Sequence, residues 1–164
     1  MLESERLILR GWQREDFPAY ARFCADAERN RYTGGAMDAF RAWGSFAARI
    51  GEWVLNGYGM FVIEPKDEPR MAGYAGLWHP AALDEPELAW SLFEGFEGKG
   101  YATEAARRVQ VWAARELGLP PLMSFVHPEN RPSQAVAKRL GATPMAPTEL
   151  RGEPRLTYRH VLPA

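Results

Sequence analysis

The sequence predicts one domain of the mixed α/β (α+β) class, spanning residues 1–164, with about six or seven strands in a central sheet and helices flanking it. Three observations carry that reading. Apolar, β-rich runs recur along the chain, and two of them, 58–64 and 71–78, flank a charged, proline-bearing turn as hairpin strands do. Three further stretches space their apolar residues by three and four, the helical period. A strand-like run at 87–93 then feeds through a Gly-x-Gly turn straight into one of those helical patterns.

In chain order, residues 5–10 alternate, with Leu7 and Leu9 on one face, and form a first strand. Arg14, Glu15 and Asp16 open a helix that runs to about Ala25 through Phe17, Tyr20, Ala21 and Cys24. Acidic residues in its first turn suit the positive end of the helix dipole. Residues 26–37, centred on Tyr32-Thr33-Gly34-Gly35, are a loop. Asp38 caps a second helix whose apolar positions are Phe40, Trp43, Phe46, Ala47, Ile50, Trp53 and Val54; Asn56-Gly57 stops it. The hairpin follows, ended by His79-Pro80, and then the strand 87–93. A helix from about 101 to 117 buries Ala102, Ala105, Val109, Trp112 and Ala113. Gly118 and Pro120-Pro121 end it. A short strand at 122–126, a short helix after Ser133, a weak strand at 143–146, a Pro/Gly loop at 147–154 and a strand at 155–162 complete the order.

Composition excludes several function classes. A formal net charge of −1 gives no basic footprint for nucleic acid. No apolar run approaches the length of a membrane span. Cys24 is the only cysteine, which rules out a disulfide within the chain and fits a reducing cytoplasm. Without a Cys/His cluster no metal site is expected.

The chemistry is expected at Glu97-Gly98-Lys99-Gly100-Tyr101-Ala102. A helix that starts here leaves its first N–H groups without partners, at the positive end of its dipole. That is a phosphate site. Gly98 and Gly100 allow positive φ and a close ligand approach, and Lys99 adds charge. On spacing alone, a tight structural turn is the favoured reading. The string lacks the Gly-Lys-Ser/Thr ending of a P-loop, and Thr103 stands where the dinucleotide fingerprint needs its third small residue.

The string from Gly98 to Ala105 resembles the GNAT superfamily of acyl-CoA-dependent N-acetyltransferases, and within it the RimJ/RimL-type branch, which acetylates protein N-termini and other amines. Glu97 stands where the family motif has Gln or Arg, so its carboxylate must point away from a pyrophosphate. Residues 127–142 resemble the superfamily's second signature, with Asn130-x-x-Ser133 at the branch's spacing. The resemblance covers nearly the whole chain.

It implies a mostly antiparallel sheet in which two parallel strands, 87–93 and 122–126, splay at a bulge and admit acetyl-CoA. No metal is implied. Phe96, Glu97, Gly98, Lys99, Gly100, Tyr101 and Ala102 would hold the phosphates, mostly through backbone. Trp90, Ser91 and Leu92 would offer backbone N–H groups to the pantetheine arm and the thioester oxygen. Asn130 would bond that arm or cap the turn. Ser133 would meet the departing thiolate, cap a helix, or both. Tyr32, Trp43 and Trp78 would wall the acceptor. The acid–base candidates are Glu87, His79 and Glu94, with Glu87 first; His127 is expected to face a loop and His160 to be structural. The acceptor would be a primary amine, a peptide N-terminus first and a small-molecule amine second, and the protein a monomer or homodimer. Two rivals stand beside this: a catalytically silent acyl-CoA-binding module, and an α/β interaction domain whose Gly turn is only structural.

Overall fold

A computed structural model describes residues 1–161; Leu162, the last residue of the final predicted strand, lies outside the described residues. The chain runs through β1 (Leu2–Glu3), β2 (Leu7–Arg10), a 3-10 turn (Arg14–Asp16), α1 (Phe17–Ala25), α2 (Ala39–Asn56), β3 (Met60–Pro65), β4 (Gly73–Trp78) and β5 (Glu87–Leu92). It continues through α3 (Tyr101–Arg115), β6 (Leu122–Val126), α4 (Arg131–Arg139), β7 (Thr143–Pro144), β8 (Thr148–Leu150) and β9 (Glu153–His160). The strands lie in the order β1-β2-β3-β4-β5-β6-β9-β7, with β8 paired to β9. All pairings are antiparallel except β5 with β6. The α/β class, the mostly antiparallel sheet and the parallel pair are thus as expected.

Local signals act as read. The Asp38 side chain accepts from Arg41 N at the start of α2, and Gly57, in the left-handed region, ends it. Leu7 and Leu9 are fully buried, and Cys24 is buried among apolar neighbours. The helix α3 packs across β2, β4 and β5, while α2 rests on β3 and α4 on β6.

Three readings change. The stretch 147–154 is not a plain loop, because β8 and the start of β9 form a hairpin over Arg151 and Gly152, both at positive φ. Such a two-residue turn matches strand twist, but Arg-Gly lacks the Asn-Gly signature that betrays it. The α2 apolar positions do not all face inward. Ala42 and Phe46 are buried, yet Phe40 is 88% and Val54 83% exposed. A helix on one sheet face covers only one stripe, and this one has apolar residues beyond it. Finally, β5 pairs with β4 in unbroken register from Glu87 to Leu92, so no bulge opens the sheet.

Candidate active site

What opens the sheet is the failure of the β5–β6 ladder after a single bridge, Glu87 to Met123. Met123 N donates to Pro86 O, so the next parallel rung would join Phe125 N to Leu88 O. Both partners are diverted. The Glu87 carboxylate accepts from Phe125 N at 3.4 Å, and Leu88 O accepts from the Ser124 hydroxyl. The ladder therefore stops, and strand alternation aims the Trp90 N–H into the gap without a β6 partner. Behind Ser124 stands a buried chain: Gln110 Nε2 donates to His160 Nδ1 at 3.1 Å, and His160 Nε2 meets Ser124 Oγ at 2.8 Å. Burial pushes the His160 ring down to about 4. His160 is structural, as expected.

The gap is the floor of a cleft of about 1880 Å³. At one end lies the turn into α3. Gly100 sits at φ 83° immediately before the helix, and Gly98 at φ 75°. Gly98, Gly100, Ala102 and Thr103 line the cleft, so the unpartnered N–H groups of the first α3 turn border it. Arg107 lines it too, its guanidinium tied to Arg139 O. Phe96 and Tyr101 instead bury their rings, and Lys99 lies over both, so their side chains do not line the cleft. Only backbone from these three is offered to the turn. Glu104 clamps the turn by accepting from Ser4 Oγ, Arg6 N and Arg6 Nε at 2.8 Å each, while Arg6 Nη1 donates to Lys99 O.

Glu97 turns to Arg29, which donates to its carboxylate. Partial burial pushes the Glu97 carboxyl up, but that hydrogen bond and nearby charge outweigh it, and the net shift is downward. Arg29, far away in sequence, was not foreseen; no local pattern marks it.

The opposite wall comes from α4. Asn130 is its cap, the side chain accepting from Ser133 N at 3.2 Å. Ser133 sits inside the first turn rather than at the cap, and it lines the cleft. The expected capping role therefore belongs to Asn130.

The base candidates separate clearly. Glu87 lies in the cleft, where burial pushes its carboxyl up to about 7 against the Phe125 N–H and the charges of Arg155, Arg151 and Arg49. His79 does not line the cleft, and both its ring nitrogens are engaged, with the Tyr58 hydroxyl at 2.6 Å and Leu83 O at 3.2 Å. Glu94 is 88% exposed on the turn, near Arg29. Among the acceptor residues, Tyr32 and Trp78 line the cleft. Trp43 does not; it packs edge-on against Phe17 at 4.9 Å and stacks on Phe46. His127 faces the loop 26–37 as expected, its ring stacked on Tyr32 at 4.9 Å, and it also lines the cleft. Glu149, Leu150, Arg151, Glu153 and Arg155 on the β8–β9 hairpin also reach the cleft, which the loop reading missed. No group of His, Cys, Asp and Glu suited to a metal occurs among the described residues, and no helix there is long and apolar enough to cross a membrane.

Residues 6–143 match the acetyltransferase (GNAT) domain family. An uncharacterized N-acetyltransferase of Bacillus subtilis, YnaD, is 22% identical over 140 residues, covering 85% of this chain and 81% of its own. An acetyltransferase structure from Agrobacterium tumefaciens is 41% identical, with a TM-score of 0.89 over 98% of this chain and 93% of its own. RimL, a ribosomal L7/L12 α-N-protein acetyltransferase solved with coenzyme A, gives a TM-score of 0.75 at 19% identity, covering 97% and 96%. At that identity the likeness is one of fold.

Proposed function

The chain belongs to the acetyltransferase (GNAT) family, and on that premise we propose that it moves an acetyl group from acetyl-CoA directly to a primary amine. A peptide or protein N-terminus is the first acceptor and a small-molecule amine the second. The observation that carries the reading is the end of the β5–β6 gap. There a carboxylate with its pKa raised toward neutrality, Glu87, stands three residues before the Trp90 N–H, which has no β6 partner. The sharing of RimL's fold supports the N-terminal acceptor.

The residues suit the co-substrate. The N–H groups at the start of α3 and the side chain of Arg107 would hold its phosphates. The gap between β5 and β6 would take the pantetheine arm, with Asn130 beside it. When bound, acetyl-CoA supplies an activated acyl carbon, so no covalent enzyme intermediate is required. Glu87 takes the proton from the attacking amine, directly or through one water, because an ammonium has no lone pair. Trp90 N–H donates to the acyl oxygen as negative charge gathers there. As the carbon–nitrogen bond forms and the carbon–sulfur bond breaks, the Ser133 hydroxyl donates a hydrogen bond to the departing thiolate.

The test is thermal stabilisation by acetyl-CoA followed by turnover with peptides of varied first residue, polyamines, aminoglycosides and amino acids. Stabilisation by acetyl-CoA and release of free thiol with at least one amine are expected. Stabilisation without turnover of any amine would leave a binding module, and no stabilisation would overturn the co-substrate reading too.

A further inference from the structure

We infer that the acceptor carries a carboxylate close to its reacting amine, and that Arg49 receives it; this rests on the amine-acetylation reading above. Trp78 pairs with Glu87, Gly76 with Ala89 and Tyr74 with Ser91, so these six residues share one sheet face. Trp78, Tyr74, Glu87, Ala89 and Ser91 of this face line the cleft. Over that face comes Arg49 from α2. Its guanidinium carbon is 4.4 Å from the centroid of Tyr74, 5.4 Å from Tyr20, 5.5 Å from Trp78 and 6.0 Å from Trp12.

The rings hold the cation without neutralising it. Arg49 Nε donates to the Tyr20 hydroxyl at 3.1 Å and Nη2 to the Tyr74 hydroxyl at 3.3 Å, both uncharged partners. Among the described residues no carboxylate forms an ion pair with it. A partly buried guanidinium with spare donors is built for a planar anion, which it grips with two parallel hydrogen bonds. The cleft it lines holds Glu87 across the same sheet face. The acceptor half therefore presents two poles, a carboxylate for the amine and a guanidinium for an acid. The β8–β9 hairpin does not tilt this balance, since Arg151 and Arg155 reach the cleft together with Glu149 and Glu153.

The shared chemistry is an amine with a nearby carboxylate, whether a free amino acid or a peptide that begins with Asp or Glu. The experiment pairs acceptors that differ only in that group: an Asp-first peptide against its Asn-first counterpart, and a free amino acid against its amide. Each is assayed with the wild type, Arg49→Met, which keeps the packing, and Arg49→Lys, which keeps the charge. A charge-assisted contact predicts a preference for the acid of roughly tenfold or more in kcat/KM. Arg49→Met should abolish that preference through the KM of the acid, with acetyl-CoA affinity unchanged, and Arg49→Lys should restore part of it. Whichever pair shows the preference identifies the source. A merely structural arginine would lower both members of each pair alike. Equal rates for acid and neutral acceptors in the wild type, or a preference that survives Arg49→Met, would overturn the inference while leaving amine acetylation intact. If no amine is turned over, thermal shifts with the N-acetylated acids and amides decide. Stabilisation by the acids alone, lost in Arg49→Met, supports the anion site, and stabilisation by neither overturns it.

Discussion

Replacing Glu87 by Gln separates the base from every structural role of that position. The side chain keeps its size and can still accept from Phe125 N, but it can no longer take a proton. Turnover near neutral pH should fall by roughly a hundredfold or more, with acetyl-CoA affinity nearly unchanged, and part of the loss should return at high pH, where the amine is already neutral. Stability should move the other way. Burial lifts the Glu87 carboxyl from 4.5 to about 7, so the folded state binds this proton more tightly than the unfolded chain. Its stabilising contribution is then full below about pH 4.5 and is lost as pH rises to about 7. The shift corresponds to at most about 3 kcal/mol at pH 8, or roughly 6–12 °C in Tm for a chain of this size. Glu87→Gln should therefore be nearly inactive and more heat-stable than the wild type at pH 8. The assay is kcat against pH for both proteins, beside thermal melts at each pH. A variant with normal turnover across pH would refute the assignment.

Other expectations follow from the same geometry. Burial lowers His160 from 6.5 to about 4, so its contribution is full above pH 6.5 and is lost as pH falls toward 4, opposite in sign to that of Glu87. The two offset each other between about pH 4.5 and 6.5. Melts of Glu87→Gln should expose a loss of stability in acid, which His160→Gln should abolish in the double variant; a slope that persists would place its source elsewhere. Gly100→Asp forces a side chain onto a left-handed position, φ 83°, with its Cβ 3.4 Å from Arg6 Nη2, and so distorts the turn; it should abolish acetyl-CoA binding by calorimetry while the fold survives, so intact affinity would count against the turn. Ser133→Ala should lower turnover more than coenzyme binding and leave Tm unchanged. Asn130→Ala removes the α4 cap and should cost about 1 kcal/mol; a destabilised Ser133→Ala would show that the cap had been misassigned.

The sequence by itself determined the elements and the glycine turn proposed for the coenzyme. Strand alternation, helical spacing, the Asp38 cap and the glycines at 98 and 100 are local, because each states what the backbone must do within a few residues. Asn130 and Ser133 were legible as the start of one helix, although which of them caps it depended on the true first turn. The acceptor end was decided by tertiary structure. Even at the coenzyme turn Arg29 meets Glu97 across 68 positions, and at the acceptor end Arg49 gathers its four rings from three segments, Trp12 before α1, Tyr20 in α1, and Tyr74 and Trp78 in β4. Trp43 and Phe40 follow the same helical period as Phe46, yet only the placement of α2 on the sheet decides which residues face inward. The gap between β5 and β6 is the clearest case. No bulge or glycine marks it, because it arises where Ser124 and Glu87, side chains of two neighbouring strands, take the backbone groups that a continued ladder would have used. Such competition exists only once the strands are side by side, and it holds the Glu87 carboxylate at the point where the sheet opens.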